Sequence, residues 1–98
     1  MGLFEVYIGD GSKSVTSPGT RVALSSVSCP AKKVIIQANV TNAGLLAVGG
    51  STVVAAYATR TGIALYASEA FLMEISDLNT VFLDSTAIGD GVTFIYIA

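Results

Sequence analysis

The side chains able to do chemistry in this chain are few and widely spaced. It holds seven carboxylates, five basic residues, one cysteine and no histidine. Without histidine there is no imidazole base, no imidazole metal ligand, and no Ser-His or Cys-His nucleophile pair. Glu69 and Glu74, or Asp84 and Asp90, stand at spacings that match no recognised acid–base motif. A carboxylate pair of glycosidase type can be remote in sequence, but a chain this short has little room for a substrate cleft beside a core. Asp77, Asp84 and Asp90 could surround a calcium ion if their turns converged, although single aspartates in turns usually bond nearby backbone. Gly49-Gly50-Ser51-Thr52 lacks the lysine and the spacing of a phosphate loop. Cys29 stands alone, which excludes an internal disulfide and a cysteine zinc site and leaves it as apolar filler. The expectation is a protein that is not an enzyme and holds no cofactor or metal.

Four tyrosines, Tyr7, Tyr57, Tyr66 and Tyr96, are the residues best suited to an interface, being large, stiff and amphipathic. Arg60 and two residues on one apolar face of the last strand, Ile95 and Ile97, join Tyr7, Tyr57 and Tyr66 as candidate contact residues. The basic residues (Lys13, Arg21, Lys32, Lys33, Arg60) all lie in the first 60 positions, and every charge after Arg60 is acidic. Five scattered cations on a chain of net charge −2 do not make a nucleic-acid face. The asymmetry suits contacts between neighbouring subunits, or simply balances within one fold.

These residues must be positioned by strands. Hydrophobic residues make up 52% of the chain but charged ones only 12%, against about 25% in typical soluble domains. A small domain exposes much of itself, so its surface must be rich in small polar residues, covered by a partner, or both. Residues 1–98 are expected to form a single domain. No signal peptide is expected from the first five residues, which lack a basic region. The uncharged stretch Val34 to Thr59 is too interrupted by Gln, Asn, Thr and Gly to cross a membrane as a helix, and a soluble protein is expected.

Lys33 to Gly50 reads as the centre of the fold. Val34, Ile36, Ala38 and Val40 alternate with Ile35, Gln37 and Asn39, the period-2 pattern of a half-buried strand. Asn42-Ala43-Gly44 then offers a turn, and Leu45 to Val48 a second strand, so a β-hairpin is predicted. Before it, Leu3 to Ile8 predicts a strand, Gly9-Asp10-Gly11-Ser12 a turn, Ser12 to Gly19 a surface loop, and Thr20 to Ser26 a strand ended before Pro30. After it, Val53 to Ala58 is ambiguous, Thr59 to Gly62 predicts an exposed tip, and Ile63, Leu65 and Tyr66 pack back. Ala70 to Ile75, Thr80 to Asp84 and Val92 to Ile97 predict three further strands, with Leu78 plugging the core between the first two. The last is apolar on both faces, which requires a central place in a sheet or a covering subunit. Seven or eight short strands without a helix predict an all-β fold: a single antiparallel β-sandwich, of which the jelly roll is one form.

Lys33-Val34-x-Ile36-Gln37-Ala38, Asn42-Ala43-Gly44, Val48-Gly49, Gly62-Ile63-x-Leu65, Ala67-x-Glu69, Asp77-Leu78 and Gly89-Asp90-Gly91-Val92-x-Phe94-x-Tyr96 together resemble small β-rich virion proteins of tailed bacteriophages, in particular head decoration or cement proteins. The resemblance covers about two-thirds of the chain and rests on turn glycines and core positions. Ser68 stands where such families often have glycine, and Ser51 to Arg60 has no counterpart. The resemblance implies a structural protein on the exterior of the capsid, made in the host cytoplasm. Its partner would be the major capsid protein, and it would form a homo-oligomer, a dimer or a trimer. A phage tail, neck or baseplate component is the alternative, and a carbohydrate-binding module the third. The N-terminal strand with the Ser12 to Gly19 loop, or the Ser51 to Arg60 segment, would make the capsid contact.

Overall fold

The computed structural model describes residues 7–98. Eight strands, β1 (Ile8–Ser14), β2 (Val22–Ala23), β3 (Lys33–Ala38), β4 (Leu46–Gly49), β5 (Ile63–Leu65), β6 (Ala70–Glu74), β7 (Phe82–Ser85) and β8 (Gly91–Ile97), form two four-stranded antiparallel sheets. The first sheet runs β1-β8-β3-β6 and the second β2-β7-β4-β5. The chain is an all-β sandwich, as its short alternating strands predict. First pairs with last, second with seventh, third with sixth and fourth with fifth, as though one long hairpin had been rolled up.

Each inner face supplies the alternate residues of its strands. Val34, Ile36 and Ala38 from β3 meet Val92 and Phe94 from β8 on one side, and Leu46, Val48, Leu65 and Leu83 close the core from the other. Two short 3-10 turns complete the body, Tyr57–Thr59 and Leu78–Thr80. The second is capped by Asp77, whose carboxylate accepts from the Asn79 N–H, and it drives Leu78 into the core.

Three expectations are corrected. Lys33 to Gly50 is not a hairpin: β3 pairs with β6 and β8, β4 pairs with β5 and β7, and residues 39–45 carry the chain from one sheet to the other. Val40 therefore lies beyond the strand and is 74% exposed. Gly9 to Ser12 is not a turn but the middle of β1, which takes Ser12 to Ser14 out of the expected loop as well. The glycines are there for space, because Gly9 faces Tyr96 and Gly11 faces Phe94 across the ladder. A Cβ on Gly9 would collide with the Tyr96 ring, and one on Gly11 would lie 2.6 Å from the Phe94 ring. Of Ile63, Leu65 and Tyr66, only Leu65 packs inward. The expected strand Leu3 to Ile8 falls, but for its end, outside the described residues. The last strand is central, between β1 and β3, which pairs both its edges but leaves its outer apolar face open, with Ile95 46% exposed.

Candidate functional site

The outer faces of the two sheets differ. Residues 50–62, between β4 and β5, fold back over the second sheet, where Val53 and Ala55 pack with Ala47 and Phe82 in a small cluster of their own. Polar contacts clamp this cover. The buried Asp84 carboxylate accepts from the Ala55 N–H at 2.9 Å and from the Gly19 N–H at 2.9 Å. Arg21 donates to the Val53 carbonyl at 3.0 Å, and Arg60 to the Ala55 carbonyl at 3.1 Å.

The first sheet has no such cover among the described residues. The register aligns Asp10, Ile95, Ile35 and Leu72 in one row across β1, β8, β3 and β6. Ile95 is 46% exposed, Ile35 41% and Leu72 56%, so these three form an apolar stripe in water, with Asp10 at its β1 end. On one side of it stand Ile8, Ile97, Lys33 and Glu74, the last two placed opposite each other as an oppositely charged cross-strand pair. On the other stand Ser12, Thr93, Gln37 and Ala70. Between β1 and β3 the face dips into an open hollow of about 550 Å³, lined by Asp10, Ser12, Ile35, Gln37, Thr93 and Ile95.

The candidate contact residues fall into separate places. Ile95 lies on the stripe, with half-buried Ile97 in the adjoining row, and Tyr7 is beside them, its carbonyl accepting from the Ala98 N–H at 2.9 Å. Tyr57 and Arg60 meet at the tip of the cover: Tyr57 is 89% exposed and the guanidinium lies 5.7 Å from its ring centroid, a cation–π contact. Tyr66 is exposed in the β5–β6 turn, where its N–H donates to the Glu69 carboxylate. That turn and Ile97 lie at opposite ends of the sheet, since β6 begins beside Gln37 while Ile97 lies opposite Lys33. Tyr96, by contrast, is half-buried, and its hydroxyl, hydrogen-bonded to Cys29, is held above the ordinary value of 10.0. Ile35 and Leu72 are the surface residues that sequence reasoning missed. Both occupied the outward positions of recognised strands, and the signal was that those positions were apolar.

The three aspartates considered for an ion are shared out among different loops. Asp77 accepts from the Cys29 and Asn79 N–H groups and the Ser28 hydroxyl, Asp84 from Gly19 and Ala55, and Asp90 from the Ala43 and Gly44 N–H groups. No cluster of acidic, cysteine or histidine side chains able to hold a metal occurs among the described residues. The same donors hold the Asp77 carboxyl below its ordinary 3.8, the Ser28 hydroxyl contributing most.

No family model matches the chain, and no curated protein does. Among solved structures, a chain from Bacillus endospore appendages, described as forming a novel family of disulfide-linked pili, is similar over 94% of this chain and 84% of that one, with a TM-score of 0.53 at 13% identity. At that identity the likeness concerns the fold.

Proposed function

We propose that this chain is a non-enzymatic structural subunit that works within a larger assembly, and specifically a virion protein that binds the outer surface of a mature tailed-phage head and bridges its major capsid subunits. The observation that carries the reading is the asymmetry of the two outer faces. One sheet is sealed by the chain's own 50–62 segment, while the other holds an apolar stripe of Ile95, Ile35 and Leu72 in water. Exposed contiguous apolar surface of this kind marks interaction sites. A protein that binds only the mature shell stabilises it by mass action, and repetition over a symmetric lattice multiplies a modest contact. The strand order 1-8-3-6 over 2-7-4-5 supports the finer reading of the sandwich as a jelly roll of two interlocked Greek keys.

The test is the copy number of the chain in purified particles relative to the major capsid protein. A simple fraction of the capsid subunits is the expected result. A handful of copies would move the chain to the tail, neck or baseplate, and complete absence would remove the virion reading.

A second reading has an observation behind it: the fold it shares with the endospore-appendage chain. On that reading this protein would be the repeating subunit of a filament. The single thiol, Cys29, is half-buried, so a filament built from this chain would rely on non-covalent contacts or on opening that site. Filaments seen by electron microscopy in the purified protein, unchanged in Cys29→Ala, would favour it over the shell.

A further inference from the structure

We infer that β6 is a pairing edge for a second copy of this chain, the two copies joining antiparallel about Leu72. This contact does not depend on which larger assembly the chain enters.

The argument begins with where the backbone groups point. The Asn39 N–H bonds the Gly91 carbonyl and the Ala38 N–H the Glu69 carbonyl, so odd residues of β3 serve β8 and even residues serve β6. Hydrogen-bonded and non-bonded pairs alternate along an antiparallel ladder. Phe71 and Met73 therefore spend their backbone groups on β3, and Ala70, Leu72 and Glu74 turn theirs outward. Among the described residues nothing accepts or donates to these outward groups.

Four strands edge the two sheets, and three of them are blunted. β2 has two residues and β5 three, too short to template a partner. β1 carries Gly9, Gly11 and Lys13, which loosen its register and place a charge on the edge. β6 is five residues of Ala-Phe-Leu-Met-Glu, with no lysine, proline or glycine.

The edge is also complementary to itself. A two-fold axis through Leu72 sets Leu72 opposite Leu72 and Ala70 opposite Glu74, so no like charges meet. All three outward residues then exchange both bonds with their opposites, roughly six backbone bonds in all. On the inner side, the half-buried Phe71 would lie beside the half-buried Met73 of the second copy. On the outer side the apolar row would run unbroken through both sheets, from Ile95, Ile35 and Leu72 into the same residues in reverse order.

Sedimentation equilibrium of the purified full chain tests this. A concentration-dependent dimer is expected. Leu72→Pro removes the outward N–H, and proline is tolerated on an edge where that group does not serve the fold's own ladder. It deletes two bonds at the axis, so the dimer dissociation constant should rise on the order of 10- to 100-fold. Leu72→Thr, which keeps the backbone groups, should stay within about tenfold of the native chain. As a second measurement, Leu72→Cys under mild oxidation should give a dimer linked residue 72 to residue 72, because directly opposed residues of a bonded pair lie about 5.5 Å apart. A native chain that remains monomeric to about millimolar concentration, at the weak end of affinities, overturns the proposal. So does a Leu72→Pro chain that dimerises as tightly as the native one, or a Leu72→Cys dimer linked through Cys29.

Discussion

Two backbone N–H groups from different loops, those of Gly19 and Ala55, end on the buried carboxylate of Asp84. Asp84→Ala removes both acceptors, leaving the buried Ala55 N–H unsatisfied. Hydrogen bonds to a charged group are worth about 1.5–3 kcal/mol and an orphaned buried donor costs a similar amount, so a loss of about 2–4 kcal/mol is expected in urea denaturation. Protease sensitivity should rise within residues 50–62, since Asp84 clamps that segment. Asp84→Asn keeps one acceptor oxygen and should lose less. Asp77 makes a different prediction, because its carboxyl titrates below its ordinary 3.8 in the folded chain. Between the two values the native state binds fewer protons than the unfolded one, so stability rises with pH there. Its contribution is complete above 3.8 and disappears as pH falls through the lower folded value. Denaturation midpoints at neutral pH and near pH 2.5 should therefore lie further apart in the native chain than in Asp77→Asn, whose acid limb will be shallower. Asp77 was legible as a turn residue and Asp84 as the end of a strand, but their partners were not. Asp84 reaches residues 65 and 29 positions away, and no local spacing encodes such contacts.

At the level of elements, β1 illustrates how a local rule yields to a neighbour. Gly-Asp-Gly ordinarily punctuates a chain, yet here it is strand, since the rings of Tyr96 and Phe94 occupy the space that side chains at positions 9 and 11 would need. Aromatic cover of a cross-strand glycine compensates for the glycine's weak strand preference. Gly11→Ala should therefore overpack the edge and cost about 1–3 kcal/mol in spite of alanine's better propensity. Phe94→Leu in the same chain should recover part of that loss, and a double-mutant cycle would read the coupling directly. Additive losses would mean that the ring is not what excludes the methyl group. The same logic explains the missed hairpin. The alternation of Val34, Ile36 and Ala38 established that β3 has one buried face, and Leu46 to Val48 was equally clear, but period-2 patterning reports the face a strand buries and not the strand it pairs with. Pairing was decided by β8, whose two apolar faces were compatible with a central place or a covering subunit and whose place between β1 and β3 leaves β4 to the other sheet.

For the whole molecule, the sandwich was legible from strand count and turn spacing, whereas the contrast between its covered and bare faces was not. That contrast depends on where residues 50–62 lie, and their sequence is ambiguous between strand and helix. It also divides the proposed contact into two surfaces that experiment can separate. Ile35 and Ile95 sit on the bare face with their side chains outside the core, so Ile35→Lys should leave stability within about 1 kcal/mol, as surface substitutions generally do. Placed under a bound shell, however, the new ammonium would be desolvated without a partner, a cost of several kcal/mol. Binding to purified expanded heads should then weaken at least about 100-fold, each 1.4 kcal/mol being tenfold. Tyr57→Ala with Arg60→Ala removes the exposed cation–π pair at the tip of the opposite cover. If the bare sheet is the docking face, that pair of changes leaves head binding unchanged in a folded chain. The reverse result, binding lost with the tip and kept with Ile35→Lys, would transfer the contact to the 51–60 segment and leave the apolar stripe to the pairing of copies. Loss in both chains would mean that the shell holds the protein on two sides at once, as a bridging subunit between neighbouring capsid proteins requires.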